Sequence, residues 1–298
     1  MKKQINLIID TDIGDDIDDV LALLLVLKED VNLLGVVSAY QNTNLRARQL
    51  KKALHLAHRD DVPVYAGYGK PLYGHHFQGV DVTFDQYEKT LEERQYSPIN
   101  DHEGSLGMGG VNFIAEQAKK YKNDLTLLTI GPMTNVALAL KKSESVKDVH
   151  LIMMGGRFFS KGSEWNIECD EEAAKICFSN IHDITAIGLD VTNETALTPE
   201  EESRLLDPKG DELDQYRAWC VQAWKNFSHR TMVLHDPLAA YSIFHPESLT
   251  FVTHRVSVGI ESPSETSITN NQAWSEVKIA QSFNKEKIVK NILDKICD

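Results

Sequence analysis

A dense acidic loop directly after a buried strand constrains this chain more than any other feature of its sequence. The apolar run Ile5–Ile9 leads into residues 10–19, which contain six aspartates, and the apolar run Val20–Leu27 follows at once. Such runs are typical of a strand and a helix that are buried on nearly all sides. Six carboxylates in one loop repel one another, whereas a single one is enough to cap a helix. The loop therefore favours a bound hard cation, Ca²⁺ or Mg²⁺, over helix capping alone.

Strand-like and helix-like segments alternate along most of the chain. The strand-like runs are apolar without alternating polar positions, which is typical of parallel strands covered on both faces. We therefore predict an α/β fold with a doubly wound, mostly parallel central sheet, helices on both faces, and a single domain over residues 1–298. Residues 67–110 and 200–231 break the alternation, and we predict that they are insertions over the carboxyl ends of the strands, where open sheets bind ligands. The predicted strands are Ile5–Ile9, Leu33–Val37, Val62–Ala66, Leu125–Ile130, Val149–Met154, Ile184–Leu189, Phe251–Ile260 and Glu276–Ala280, and the predicted helices are Val20–Leu27, Leu45–His58, Asn135–Lys141, Asp170–Phe178 and Lys285–Ile296.

The charge of the chain narrows the classes of partner. Lys and Arg total 31 against 44 Asp and Glu, which gives a formal net charge of −13. Because nucleic acids and anionic membranes attract a cationic face, we expect this chain to bind neither. The longest apolar run has eight residues, which is too short to cross a bilayer, and the amino terminus does not have the pattern of a signal peptide. The four cysteines form no Cys-x-x-Cys pair, so we predict a reduced, cytoplasmic protein.

An Asp-x-Asp sequence after a first strand has more than one known use. It also opens the haloacid-dehalogenase phosphatases, in which the first aspartate, here Asp10, is a phosphoryl nucleophile. Those enzymes generally place Thr or Val where this chain has Gly14, and they do not need the further pair Asp18–Asp19. A metal-dependent phosphatase is therefore kept as an alternative function.

The acidic loop resembles the opening motif of the inosine–uridine-preferring nucleoside hydrolases, Asp-x-Asp-Pro-Gly-x-Asp-Asp. Five further segments resemble motifs of that family in the same order, so the resemblance spans most of the chain. Each motif is weak alone, but six in order are specific. The five segments are 37–42 (Val-Ser-Ala-Tyr-Gln-Asn), 104–109 (Gly-Ser-Leu-Gly-Met-Gly), 129–135 with the strand end 153–156 (Thr-Ile-Gly-Pro-Met-Thr-Asn and Met-Met-Gly-Gly), 164–166 (Glu-Trp-Asn), and 235–237 (His-Asp-Pro).

The resemblance implies a Ca²⁺ site and a site for a ribonucleoside. It assigns Asp12, Asp19, Asp236 and the Ile130 carbonyl as ligands of the ion. Asp16, as the alternative to Asp19, and Asp10 are second candidates. Asp12 would also act as the general base on the attacking water, and Asp10 would support it. The ribose hydroxyls would be held by Asp18, Asn42, Glu164 and Asn166, and His235 would lie near the base as a proton donor.

The implied activity is hydrolysis of the N-glycosidic bond, which yields ribose and a free base. Carboxylates near the sugar suit the oxocarbenium character that develops there, and an imidazole suits the departing base. The family also implies a homodimer or homotetramer. A protein that binds a nucleoside or sugar on the same scaffold without turning it over is a second alternative.

Three departures from the family pattern bear on the site. Two extra residues follow Gly14, which leaves the choice between Asp16 and Asp19 open. Ile13 replaces the usual proline. Residues 157–163 look shortened and contain no asparagine, and we expect them to bring two aromatic and two cationic side chains near the substrate. Elsewhere we predict local roles: 134–135 cap a helix, and His75, His76 and His102 are exposed loop residues.

Overall fold

The predicted buried strands form one sheet in a computed structural model that describes residues 4–73 and 107–298. In the described chain the strands are β1 (Ile5–Thr11), β2 (Val31–Ser38), β3 (Val64–Ala66), β4 (Gly107–Met108), β5 (Leu125–Thr129), β6 (His150–Met154), β7 (Asp183–Ile187), β8 (Leu249–Val258), β9 (Thr266–Thr269) and β10 (Glu276–Phe283). Their spatial order is β4-β3-β2-β1-β5-β6-β7-β10-β8-β9. All neighbours from β4 to β10 pair in parallel, and only β8 and β9 add antiparallel pairings at one edge. The prediction of a mostly parallel α/β sheet is confirmed.

Helices cover both faces of the sheet. They are α1 (Asp18–Leu27), α2 (Thr43–Leu56), α3 (Gly110–Tyr121), α4 (Thr134–Lys142), α5 (Trp165–Cys169), α6 (Glu171–Asn180), α7 (Leu189–Thr192), α8 (Pro199–Leu206), α9 (Glu212–Phe227), α10 (His235–Phe244) and α11 (Lys285–Cys297). One apolar core contains side chains of α1, α2 and α7–α11, and the other contains side chains of α3–α6. Within β1, Leu7 and Ile9 belong to the first core and Ile8 to the second, because successive side chains of a strand point to opposite faces.

The first strand and two buried helices bring the acidic loop to the centre of the molecule. β1 lies between β2 and β5 in the sheet. Helix α1 is buried over nearly its whole length, and it packs against α10, which is buried as well. The carboxyl end of β1 and the amino ends of α1 and α10 therefore meet, and helix amino ends are favourable positions for carboxylates.

Some element boundaries differ from the predictions for identifiable reasons. The third strand begins at Val64 rather than Val62, since Pro63 has no N–H to donate and instead accepts a hydrogen bond from Val36 through its carbonyl. Helix α3 and strand β9 were not predicted, because they lack a long apolar run. The segment 200–231 contains two helices, and the second, α9, packs against α1, α2 and α8.

Several predictions fall on residues that are not described. His75, His76, His102 and the first part of the glycine-rich segment 104–109 lie outside the described ranges. Over residues 4–73 and 107–298, no helix combines the length and the apolar character needed to span a membrane.

Candidate active site

A cavity of about 410 Å³ lies where β1, β5 and β6 end and α1 and α10 begin. Its position is the one expected for a ligand site in an open parallel sheet. Most of the polar side chains in its wall are carboxylates. The cavity is lined by Asp12, Asp15, Asp16, Asp18, Asp19, Ile130, Met154, Glu164, Trp165, Asn166, Leu189, Arg230, His235 and Asp236.

Three of these carboxylates form a compact buried cluster. Asp18 and Asp19 lie in the first turn of α1, and Asp236 lies in the first turn of α10. One oxygen from each lies within 4.8 Å of the others. The Asp236 main-chain N–H donates to Asp18 Oδ2 at 3.3 Å, and the Thr11 hydroxyl donates to Asp19. The arrangement presents several carboxylate oxygens to one point, as a cation site does.

The cluster is electrostatically costly without a cation. Burial, and then the neighbouring carboxylates, raise the pKa values of Asp18, Asp19 and Asp236 well above the usual range for aspartate. A divalent cation would replace the lost hydration and remove the mutual repulsion. Because these donors are all carboxylate oxygens, they fit a hard ion such as Ca²⁺ or Mg²⁺.

Asp12 lies beside the cluster, immediately after β1. Its charge contributes to the raised pKa values of Asp18, Asp19 and Asp236. The pKa of Asp12 itself is raised to about 7: burial is the largest cause, the positive charge of Arg46 opposes it, and the nearby Asp15 and Asp10 add to it. A carboxyl group whose pKa lies near 7 is suited to accept a proton at neutral pH.

The predicted sugar ligands on α5 are held rigidly. Glu164 caps this helix by accepting hydrogen bonds from the main-chain N–H groups of Asn166 at 2.9 Å and Ile167 at 3.2 Å, and it also accepts one from Gly156 at 3.0 Å. The Asn166 amide donates to the carbonyl of Ile130 at 3.1 Å and to that of Met154 at 3.2 Å. Both side chains are therefore fixed at the wall of the cavity by the ends of β5 and β6.

His235 also lines the cavity, at the start of α10. Its Nδ1 lies 2.8 Å from the Thr192 hydroxyl. Burial, and then the positive charge of Arg230, lower the pKa of His235 to about 4. The imidazole is therefore neutral at pH 7, and when Nδ1 accepts from Thr192 the ring carries its hydrogen on Nε2.

The two residues that extend the acidic loop lie at the rim of the cavity. Asp16 accepts from its neighbour Ile17 at 2.7 Å through Oδ1, and from Arg230 Nη2 at 3.0 Å through Oδ2. It is not a member of the compact cluster, whereas Asp19 is. Arg230 was not predicted as a site residue, because no motif in the sequence marks it. Trp165 and Asp15 were quoted in motifs but were given no role.

Comparison with known proteins agrees with this geometry. A family model described as inosine-uridine preferring nucleoside hydrolase matches residues 7–290. The chain belongs to this family. It is an N-glycosidic hydrolase of ribonucleosides.

Individual relatives align with this chain over nearly its whole length. The chain is 30% identical to a protein of Arabidopsis thaliana named probable uridine nucleosidase 2, over 98% of this chain and 97% of that one. It is 25% identical to the purine-preferring ribonucleoside hydrolase from Gardnerella vaginalis, with a TM-score of 0.77 and 98% of each chain covered. The plant nucleoside hydrolase PpNRh1 has the same fold, with a TM-score of 0.83 over 99% of each chain at 22% identity.

Two predicted site residues of this nucleoside hydrolase do not line the cavity. Asp10 is fully buried at the end of β1, where it accepts from the Asn135 amide at 2.7 Å and the Thr129 hydroxyl at 3.3 Å. That position does not suit the nucleophile of a phosphatase. Asn42 caps α2 by accepting from the Leu45 N–H at 3.0 Å, and its contact with ribose stays a prediction.

The prediction that residues 134–135 cap a helix is wrong. Met133 occupies the cap position of α4, and no side chain caps this end. Asn135 is fully buried, and its amide nitrogen donates to Asp10 and to the Ser38 carbonyl at 3.2 Å. Its oxygen accepts from the Tyr68 N–H at 2.7 Å. The Asn135 side chain points inward from the first turn of α4. It therefore connects Asp10, at the start of the acidic loop, to the segment that follows β3.

The expectation that residues 157–163 bring aromatic and cationic side chains to the substrate is also wrong. None of them lines the cavity. Phe158 is buried against Gly156 and Gly188, where an added Cβ would meet its ring. Asp190 holds the loop by accepting from the N–H groups of Phe158 at 2.6 Å and Phe159 at 3.2 Å. The backbone of this loop turns its side chains into the core and toward solvent.

Proposed function

We propose that this nucleoside hydrolase uses Ca²⁺ to cleave nucleosides, with Asp12, Asp19, Asp236 and the Ile130 carbonyl as protein ligands. The observation that carries the proposal is the buried cluster of carboxylates at the amino ends of α1 and α10, beside Asp12. Asp19 is preferred to Asp16, because Asp16 pairs with Arg230 at the rim. When bound, the ion supplies Lewis acidity and favours deprotonation of the attacking water.

Asp12 takes the proton of that water. The oxygen of the water bonds to C1′ of the ribose, and the glycosidic bond breaks with its electron pair moving to the base nitrogen. The carboxylates around the sugar stabilise the positive charge that develops on the ring. The expected products are ribose and the free base, with the proton held first by Asp12.

Asp18, Glu164 and Asn166 bind the ribose hydroxyls. Their side-chain oxygens supply acceptors for the hydrogens of the two hydroxyl groups, since both amide hydrogens of Asn166 are already donated to main-chain carbonyls. Glu164 and Asn166 are held by hydrogen bonds to the main chain, so little conformational freedom is lost when the sugar binds. Asn42 is the fourth proposed contact to the ribose. Its side-chain oxygen caps α2, so the same side chain must contact the sugar while it keeps its hydrogen bond with the Leu45 N–H.

His235 assists the leaving base as a neutral hydrogen-bond donor. Since its pKa lies at about 4, it carries no proton to give as an imidazolium near pH 7. Its Nε2–H can instead bind a ring nitrogen or oxygen of the base and weaken the negative charge that forms there. His235 then serves substrates with poor leaving groups more than substrates with activated ones.

Uridine and inosine are the first substrates to test. One relative is named a probable uridine nucleosidase and one solved structure is named a purine-preferring ribonucleoside hydrolase, so the panel includes a pyrimidine and a purine nucleoside. We further propose a cytoplasmic homodimer or homotetramer. The four cysteines are free and buried, which suits a reducing compartment.

The test is a reducing-sugar assay on a panel of ribonucleosides, with the protein as purified, after chelation, and after adding back Ca²⁺ or Mg²⁺. Ribose release that is lost on chelation and restored best by Ca²⁺ supports the proposal. Activity that survives complete removal of metal, as checked by elemental analysis, contradicts the role of the ion. Nucleoside binding without release of ribose at any metal loading contradicts hydrolysis and favours a binding protein.

A further inference from the structure

Among the described residues that line the cavity, Arg230 is the one with a permanently cationic side chain, and seven others are carboxylates. It lies in the segment between α9 and α10, five positions before His235. This segment is held in place by main-chain pairing, because Ala196 bridges Val233 and the Leu197 N–H donates to the Met232 carbonyl at 2.9 Å. This pairing anchors the backbone two residues after Arg230, whose side chain lines the cavity.

The contacts of Arg230 leave its guanidinium able to change partners. Nε donates to the Ser228 hydroxyl at 3.2 Å, and Nη2 donates to Asp16 at 3.0 Å. Among the residues described, Nη1 has no hydrogen-bond partner. The side chain of Arg230 is 72% exposed and that of Asp16 is 36% exposed. An ion pair this exposed contributes little to stability, so a ligand can displace it at little cost.

The reaction creates a charge that this guanidinium fits. When the glycosidic bond of a neutral nucleoside breaks, its electron pair leaves a negative charge on the base, which spreads to the ring nitrogens and carbonyl oxygens. Seven carboxylates in the same wall oppose that charge. A guanidinium offers several N–H donors in one plane, and charge-assisted hydrogen bonds to a planar anion are among the stronger ones in proteins.

We propose that Arg230 recognises the leaving base, exchanging Asp16 for an oxygen or ring nitrogen of the base and stabilising the negative charge there. The inference rests on the proposed function, since it assumes that the cavity cleaves nucleosides. Asp16 is the partner that the guanidinium leaves when the base binds, so it competes with the substrate for Arg230. The base anion later takes its proton from solvent, and Arg230 stays charged throughout.

The test compares leaving groups in Arg230→Met and Arg230→Lys enzymes. Uridine and inosine have poor leaving groups, whereas 4-nitrophenyl β-D-ribofuranoside releases a phenolate that needs little stabilisation. For Arg230→Met we expect kcat/KM to fall about 10- to 100-fold on the two nucleosides and less than about threefold on the nitrophenyl riboside. Arg230→Lys should recover part of the loss, because it keeps the charge without the planar set of donors.

Two further variants separate recognition from structure. Asp16→Asn releases the guanidinium, and we expect it to lower KM for uridine. Arg59→Met removes an ion pair with Asp61 that is 2.9 Å long, and neither of these residues lines the cavity, so it should change no rate. Equal losses on all three substrates, no loss in Arg230→Met, or a loss in Asp16→Asn as large as in Arg230→Met would each overturn the inference. If the unmodified enzyme cleaves no riboside, the proposed function fails instead.

Discussion

Replacing Asp236 by asparagine is predicted to make the ion-free protein more stable while it abolishes the function. Asp236 is buried with Asp18 and Asp19, and both burial and these neighbours raise its pKa well above 3.8. At pH 8 the carboxyl group must either stay charged in an acidic, dehydrated site or retain a proton. Asparagine resembles the protonated form in shape and carries no charge. The variant therefore avoids the free-energy cost both of burying a charged carboxylate and of protonating it at pH 8.

The cost of protonating Asp236 at pH 8 sets an upper limit on this gain in stability. An aspartate with an ordinary pKa of 3.8 holds a proton at pH 8 at a cost of at most about 6 kcal/mol, at about 1.4 kcal/mol per pH unit. Because the cluster shares protons and the variant loses an acceptor, we expect a gain of about 1–4 kcal/mol in the free energy of unfolding. The gain should shrink as the pH falls toward 4 and vanish below about pH 3, since the aspartate is then protonated in the folded and unfolded chain alike.

Urea unfolding measures this gain, with chelator and then with saturating Ca²⁺. With chelator at pH 8 the variant should unfold at higher urea than the natural protein. Ca²⁺ should stabilise the natural protein much more than the variant, and the variant should release no ribose. Asp61→Asn is the control, because Arg59 lowers the pKa of this exposed carboxyl group, and no gain is expected there. A variant that is less stable than the natural protein in chelator at pH 8 would refute the electrostatic reasoning.

Three other predictions test the site more directly. Asp12→Asn should abolish turnover by at least about 100-fold, as expected for loss of a general base, while circular dichroism and urea unfolding show an intact fold; turnover within threefold of the natural enzyme would remove Asp12 from that role. His235→Ala should reduce kcat/KM on inosine more than on 4-nitrophenyl riboside, and equal losses would contradict its role at the base. Asn135→Leu should destabilise the protein by about 2–4 kcal/mol, because Asp10 loses the shorter of its two hydrogen bonds and the Tyr68 N–H is left without a partner. The exposed Asn44→Leu should change stability by under about 0.5 kcal/mol in the same urea assay.

Linkage gives the sign of the pH dependence in the ion-free protein. Burial raises the pKa of Asp10 to about 7 from 3.8, so the folded state binds this proton more tightly than the unfolded chain does. Stability is then greatest at low pH and is lost as pH rises from about 4 to about 7, with little further change above. Bound Ca²⁺ should oppose this loss, because it favours the charged carboxylates of the cluster.

The position of the site could be predicted from the sequence because it depends on chain order. Asp12 follows β1 and Ile130 follows β5, and parallel neighbours end at the same edge of a sheet. Asp18 and Asp19 begin the next helix, which places them at that edge as well. The alternation of apolar segments predicts parallel strands that end at one edge of the sheet, whereas Asp236 was assigned to the same site only through the resemblance of residues 235–237 to the family motif.

The direction of individual side chains could not be predicted in the same way. Asn135 looked like a cap but lies inside α4, where the rotation of the helix aims it at Asp10. Phe158 looked like part of the substrate site, but the turn at Gly156 directs its ring into the core. Arg230 enters the cavity from a coil segment without any pattern. In each case the tertiary packing of a neighbouring element determines the direction, and that information is not local.

Arg46 shows how so acidic a loop is held together without losing its ligands. The guanidinium is buried beneath the loop and donates to the main-chain carbonyls of Tyr40 at 2.9 Å and Ile13 at 2.8 Å, and also to that of Asp12. Its charge lowers the pKa values of Asp12 and Asp19, so it offsets part of the repulsion. A basic side chain that paired with these carboxylates directly would occupy the oxygens that are needed to bind the metal ion or to accept a proton. Because Arg46 holds the backbone, the loop keeps its shape and the Asp12 carboxylate stays available for chemistry.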